Sequence, residues 1–69
     1  MKISARNILK GKVQKIVKGP VSAEVLIELS GGEIITSVIT KESVENLQLK
    51  EGKEVYAVIK ATNVMIATD

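Results

Sequence analysis

From Val21 to Leu29 the chain alternates with a period of two: Val21, Ala23, Val25, Ile27 and Leu29 share one face, and Ser22, Glu24, Leu26 and Glu28 the other. That alternation predicts a half-buried strand. Ser30-Gly31-Gly32-Glu33 follows, a composition suited to a two-residue hairpin with positive φ. The return strand is read from Ile34 to Thr40, where Ile35 and Ile39 on one face and Ile34 and Val38 on the other are all apolar. A strand apolar on both faces belongs in the middle of a sheet or under a partner.

Upstream, Ile3 to Val17 carries no turn signal except Gly11, and lysines alternate loosely with Val13, Ile16 and Val17. A long first strand bulged at Gly11 is predicted, ended by Gly19-Pro20 because proline cannot donate to a ladder. At Thr40 the period changes. Val44 and Leu47 stand three apart behind a threonine suited to the N-cap and an acidic residue in the first turn, which predicts a short helix over Thr40–Leu47. After the Lys50-Glu51-Gly52-Lys53 turn, Glu54 to Lys60 reads as a fourth strand with Val55, Ala57 and Ile59 on one face, and Val64 to Ala67 as a fifth. The fold class that follows is all-β: a small five-stranded barrel of the oligonucleotide/oligosaccharide-binding (OB) type, with one short helix after the third strand.

Composition narrows what such a barrel can be. Sixty-nine residues make a single domain, 1–69, near the lower limit for an unaided core. Without cysteine or histidine, neither disulfides nor a zinc knuckle can reinforce it, and oligomerisation remains. The net charge of +2 does not by itself announce a polyanion partner, and Lys10, Lys12, Lys15 and Lys18 read as a solvated strand edge that resists edge pairing. No apolar run approaches a membrane span, and no signal-type apolar core follows Met1-Lys2-Ile3, so a cytoplasmic protein without membrane contact is expected.

Catalysis is poorly supplied. The chain has no His or Cys, no phosphate loop and no nucleophile elbow, and Glu24 and Glu28 have the spacing of solvated strand charge. Binding is better supplied, by donors. Ser4-Ala5-Arg6-Asn7 holds the only arginine, a fixed planar cation between a hydroxyl and an amide. Lys60 ends an apolar strand, where an ammonium either reaches water or meets an anion. Thr40 and Ser43 open the helix, whose first turn leaves N–H groups unpaired. Two full positive charges with hydroxyl and amide donors balance a dianion. Such a donor set favours a fully deprotonated tetrahedral oxyanion over monohydrogen phosphate, whose proton wants an acceptor.

Four segments together carry a family resemblance: Ser4-Ala5-Arg6-Asn7; Lys18-Gly19-Pro20-Val21; Val38-Ile39-Thr40-Lys41-Glu42-Ser43-Val44 with Leu47 and Leu49; and Gly52-Lys53-Glu54-Val55 through Ile59-Lys60-Ala61-Thr62. In order and spacing they resemble the molbindins, the small molybdenum-pterin-binding (Mop) proteins, over nearly the whole chain. The resemblance implies an OB-like fold, a homo-hexamer built as a trimer of dimers, and molybdate or tungstate held at subunit interfaces for intracellular storage and homeostasis. Carried onto this chain, it implies one side of the main site from Ser4, Arg6, Lys60 and the main chain of Ala61, with Thr40 and Ser43 as donors from a neighbouring subunit. Gly19, Val21 and Ser22 resemble a second type of oxyanion site near the threefold axis, where Pro20 cannot donate. Ile8 departs from the family pattern, in which a polar residue often stands. The single ring, Tyr56, offers no platform for a pterin, so bare oxyanion and no organic cofactor is the expectation.

Two other readings compete. A single-stranded nucleic-acid binder of the same fold class would use the Lys10–Lys18 stripe, but it stacks bases on rings that this chain lacks. An assembly or regulatory module would pass oxyanion occupancy to a partner.

Overall fold

The computed structural model describes residues 1–69 and places four strands in one antiparallel sheet. In chain order these are β1 (Asn7–Lys18), β2 (Ser22–Leu29), β3 (Ile34–Thr40) and, after the helix α1 (Lys41–Asn46), β4 (Glu54–Ile59). Their order across the sheet is β3-β2-β1-β4. The two longest strands are central, and the sheet curls into a half-barrel around their inner face.

Val13 on β1, Ala23, Val25 and Ile27 on β2, Ala57 on β4 and Val44 on α1 form that core. The alternation of β2 is as its sequence predicts, with Ala23, Val25 and Ile27 buried and Glu24 and Glu28 exposed. On β1 the period is broken. Val13 pairs with Ile27 and Lys15 with Leu26, so Gln14 is an extra residue and the ladder shifts there. Val13 and Ile16 consequently both face the core, one from an odd and one from an even position. The bulge therefore lies at Gln14 and not at Gly11. Gly11 answers a different demand: a Cβ there would sit 2.6 Å from the Glu28 carbonyl oxygen and 2.8 Å from Ile27 Cγ2.

The β2–β3 connection is longer than a two-residue turn. Gly32 N–H donates to the Leu29 carbonyl (2.9 Å), Leu29 N–H to that of Glu33 (2.8 Å), and Gly32 alone in the loop has positive φ, 93°. This is a turn closed by a left-handed glycine, the usual build of a three-residue hairpin loop. Thr40 caps α1, its hydroxyl oxygen accepting from Ser43 N–H. The helix ends on Gln48, at φ 54°, with Leu49 N–H reaching the Val44 carbonyl and Gln48 N–H that of Glu45. Those two bonds make a Schellman stop with glutamine where glycine is usual. Lys53 Nζ adds charge at the same terminus, donating to the carbonyls of Leu47 (2.7 Å) and Gln48 (3.2 Å).

Several expectations are corrected. The first strand begins at Asn7 rather than Ile3, because β4 ends at Ile59 and leaves earlier residues no partner. β3, expected in the middle of a sheet or under a partner, is not central: it is an edge that pairs only with β2. The lysine run lies on a central strand, not an edge. No fifth strand forms: after β4 a 3-10 turn over Ala61–Asn63 redirects the chain, and Met65 and Ile66 are 93% and 91% exposed. The barrel is therefore open between β3 and β4. Only seven of 69 residues are buried, so one copy of the chain makes a thin core.

Candidate functional site

The antiparallel pairing of β1 with β4 decides where the donors go. Its last pair is Asn7 with Ile59, so the residues just before β1 and just after β4 leave the ladder side by side. They line one cleft of about 540 Å³, formed by Ser4, Ala5 and Arg6 on one wall and Lys60 to Asn63 on the other, with Ile3 and Val58 completing it. Arg6 and Lys60 bring the two cations into the same space. No carboxylate lines it. The chain's single ion pair is elsewhere, Lys10 with Glu54 at 3.2 Å, so both cleft cations are uncommitted.

Main-chain donors add to the side chains. The 3-10 turn starts at Lys60 without a side-chain cap; Asn63 N–H bonds the Lys60 carbonyl (2.8 Å), while the N–H groups of Ala61 and Thr62 find no backbone acceptor. Such groups at the start of a turn are ready donors. Thr62 and Asn63, polar side chains in the same lining, were not singled out from sequence. A strand placed at Val64 hides the turn that aims them.

The remaining candidates lie elsewhere. Thr40 ends β3, and β3 and β4 are opposite edges of the sheet, so Thr40 and Ser43 do not meet Arg6 and Lys60 within one chain. They gather instead with the turn before β2: Ser22 pairs with Thr40, and Lys41 N–H donates to the Val21 carbonyl at 2.8 Å. A shallow depression there holds Val21, Thr40 and Lys41 beside Glu42 and Glu45. Thr40 is occupied by its own cap: its hydroxyl accepts from Ser43 N–H (3.0 Å) and donates to Ser43 Oγ (2.8 Å). The Ser43 hydroxyl has no acceptor for its own proton within the chain. In the preceding turn Gly19 N–H is spent on the Ser22 carbonyl at 2.8 Å.

The first half of the lysine stripe is compensated where it lies, whereas Lys15 and Lys18 pair with Leu26 and Ala23. Lys12 pairs across the sheet with Glu28 on one side and Glu54 on the other, and Lys10 binds Glu54. Cross-strand charges of opposite sign offset each other, so Lys10 and Lys12 do not extend a positive track from Lys15 and Lys18. Tyr56 stands opposite Lys10 as an isolated ring. A base-stacking surface is missing. No helix is long and apolar enough to cross a membrane, and no cluster of His, Cys, Asp or Glu could hold a metal cation.

Residues 3–66 match the family described as TOBE domain. Molybdenum-pterin-binding protein 3 of Clostridium pasteurianum is 58% identical over 66 residues, 96% of this chain and 97% of its own. Among solved structures, MopII from Clostridium pasteurianum aligns with a TM-score of 0.92 at 57% identity, covering 97% of this chain and 100% of that one. ModG, a cytoplasmic molybdate-binding protein solved with molybdate bound, aligns with a TM-score of 0.91 at 54% identity, over 94% of this chain and 46% of ModG.

Proposed function

This chain belongs to the TOBE-domain family and, within it, to the molbindin (Mop) proteins, and from that premise we propose that it binds molybdate as a bare oxyanion. The family is one of binding proteins, and the chain is not an enzyme. The observation that carries the proposal is the cleft between Arg6 and Lys60, donor-lined and free of carboxylate. Ser4 contributes a hydroxyl, Arg6 a fork of N–H groups, Lys60 an ammonium and Ala61 its main-chain N–H. Each charge-assisted hydrogen bond contributes about 1.5–3 kcal/mol, so a few converging ones offset the loss of hydration of a small dianion.

Thr40 and Ser43 enter as donors from a neighbouring copy, with Ser43 the one whose hydroxyl is free. Their place at the opposite sheet edge supports a site shared between subunits. Exposed Val38 on β3, Val58 on β4 and the apolar stretch from Val64 to Ile66 supply surface for that assembly, which we take to be a hexamer of three dimers. Gly19, Val21 and Ser22 form the second, less charged oxyanion site, with Val21 N–H and the Ser22 hydroxyl as its donors, since Gly19, its N–H held by the turn, only shapes it. Tungstate, of the same shape and charge, is the second ligand, no pterin is required, and storage in the cytoplasm is the role, with residues 1–69 acting as one domain. Calorimetry against molybdate, tungstate, sulfate and phosphate tests this. Molybdate bound no more tightly than sulfate refutes the specific claim, and a monomer that binds at full affinity refutes the shared site.

A further inference from the structure

The cleft's two walls come from segments far apart in the chain, and one side chain ties them together. Asn7 Nδ2 donates to the Ile59 carbonyl at 3.3 Å, across a separation of 52 residues. The other side-chain hydrogen bonds are local, within six residues. Asn7, directly after Arg6, is the first residue of β1 in the ladder, and Ile59, directly before Lys60, is the last of β4. No backbone hydrogen bond holds residues 3–6.

The position itself is unusual for an amide. Asn7 is half-buried and shares its face of β1 with Leu9, Gly11 and Val13, the last of which belongs to the core. An aliphatic side chain would fit there as well, since the residue opposite is the half-buried Ile59. Nor does Asn7 line the cleft; its donor is turned to the neighbouring strand. A polar group placed where an apolar one would pack, bonded to the carbonyl next to one cation and adjacent in sequence to the other, has a geometric task.

We propose that Asn7 is a positioning residue of the oxyanion site, a cross-strand clamp that holds Arg6 and Lys60 at the spacing a single tetrahedral dianion can bridge. The inference rests on the oxyanion-binding reading above and adds a residue that does not touch the ligand. It predicts that the clamp matters more to binding than to folding, because an aliphatic side chain at position 7 keeps the inward packing and loses only the tie.

The test compares wild type with Asn7→Leu, nearly isosteric, and Asn7→Ala, for use where leucine crowds the site. Molybdate affinity by calorimetry is expected to fall about tenfold in Asn7→Leu, the effect of losing one hydrogen bond, with the melting temperature kept or raised. Amide exchange of the ligand-free chain is expected to quicken at the end of the β1–β4 ladder next to the cleft, over Ile8–Leu9 and Ala57–Ile59, and to be unchanged in β2 and β3. Affinity within twofold of wild type overturns the proposal, and so does a loss of affinity matched by a general loss of stability and exchange protection. Should wild type itself not bind molybdate, the functional reading fails, and the exchange data alone decide the clamp as a tie between the strands: faster exchange confined to that end of the β1–β4 ladder upholds it, and unchanged exchange refutes it.

Discussion

Replacing Arg6 by alanine removes one of the two uncommitted cations of the cleft and little else. The side chain is exposed and forms no ion pair in the free chain, so the fold should not feel its loss. A unit charge about 4 Å from a dianion contributes about 2 kcal/mol even at the dielectric constant of water, and a charge-assisted hydrogen bond is independently placed at about 1.5–3 kcal/mol. The two routes describe the same contact and are not summed. They set the expected loss at roughly thirtyfold in Kd at low salt, shrinking as ionic strength rises because the cleft is open to screening. The assay is titration calorimetry with molybdate at two salt concentrations. Lys10→Ala is the control: it removes the same charge from a surface pair on the outer face of the sheet, away from the cleft, and should change Kd less than twofold. Arg6→Ala binding like wild type, or Lys10→Ala losing as much as Arg6→Ala, would refute the reasoning.

Three further outcomes test the scaffold, each read by thermal or chemical unfolding at one fixed protein concentration. Gly11→Ala forces a methyl group against the Glu28 carbonyl and should cost about 2–3 kcal/mol, lowering the melting temperature by roughly 10 °C or more; an unchanged midpoint would mean that the strands separate there without penalty. Gln48→Gly relieves the left-handed backbone at the helix stop and should stabilise by about 0.5 kcal/mol, the strain relieved exceeding the entropy glycine adds to the unfolded chain. Thr40→Val deletes the N-cap and should cost about 1 kcal/mol, visible as a lower denaturant midpoint at constant m-value.

Where the sequence pattern is strictly local, it is a good guide to the fold. β2 and β3 and the capped helix are readable because alternation, two adjacent glycines and a threonine three residues before Ser43 act over short distances. The start of β1 is not readable in this way, since a strand stops where its partner stops, and Asn7 and Ile59 are 52 residues apart. The fifth strand fails for the same reason: Val64, Met65 and Ile66 have strand-like composition, but composition does not supply an edge to pair with. At the site, Arg6 and Lys60 are recognisable as donors from residue type alone. Their meeting is a product of antiparallel register, and the separation of Thr40 and Ser43 from them is a product of strand order, neither of which is a property of any one segment. Thr62 and Asn63 are hidden because the turn that places them is read as the approach to a strand.

The extra residue on β1 has a consequence for how that strand tolerates changes of length. Ahead of Gln14 the inward positions are odd, behind it they are even, and Gln14 itself has no partner on β2. Excising any residue between Asn7 and Val13 would turn part of the strand over, carrying core side chains into water and lysines into the interior. Excising Gln14 would leave Val13, Lys15 and Ile16 in simple alternation, each still on the side it now occupies. Position 14 is thus a joint in β1 at which a residue can be lost without exchanging its two faces, and what would go with it is the local bend that helps wrap the sheet around its core.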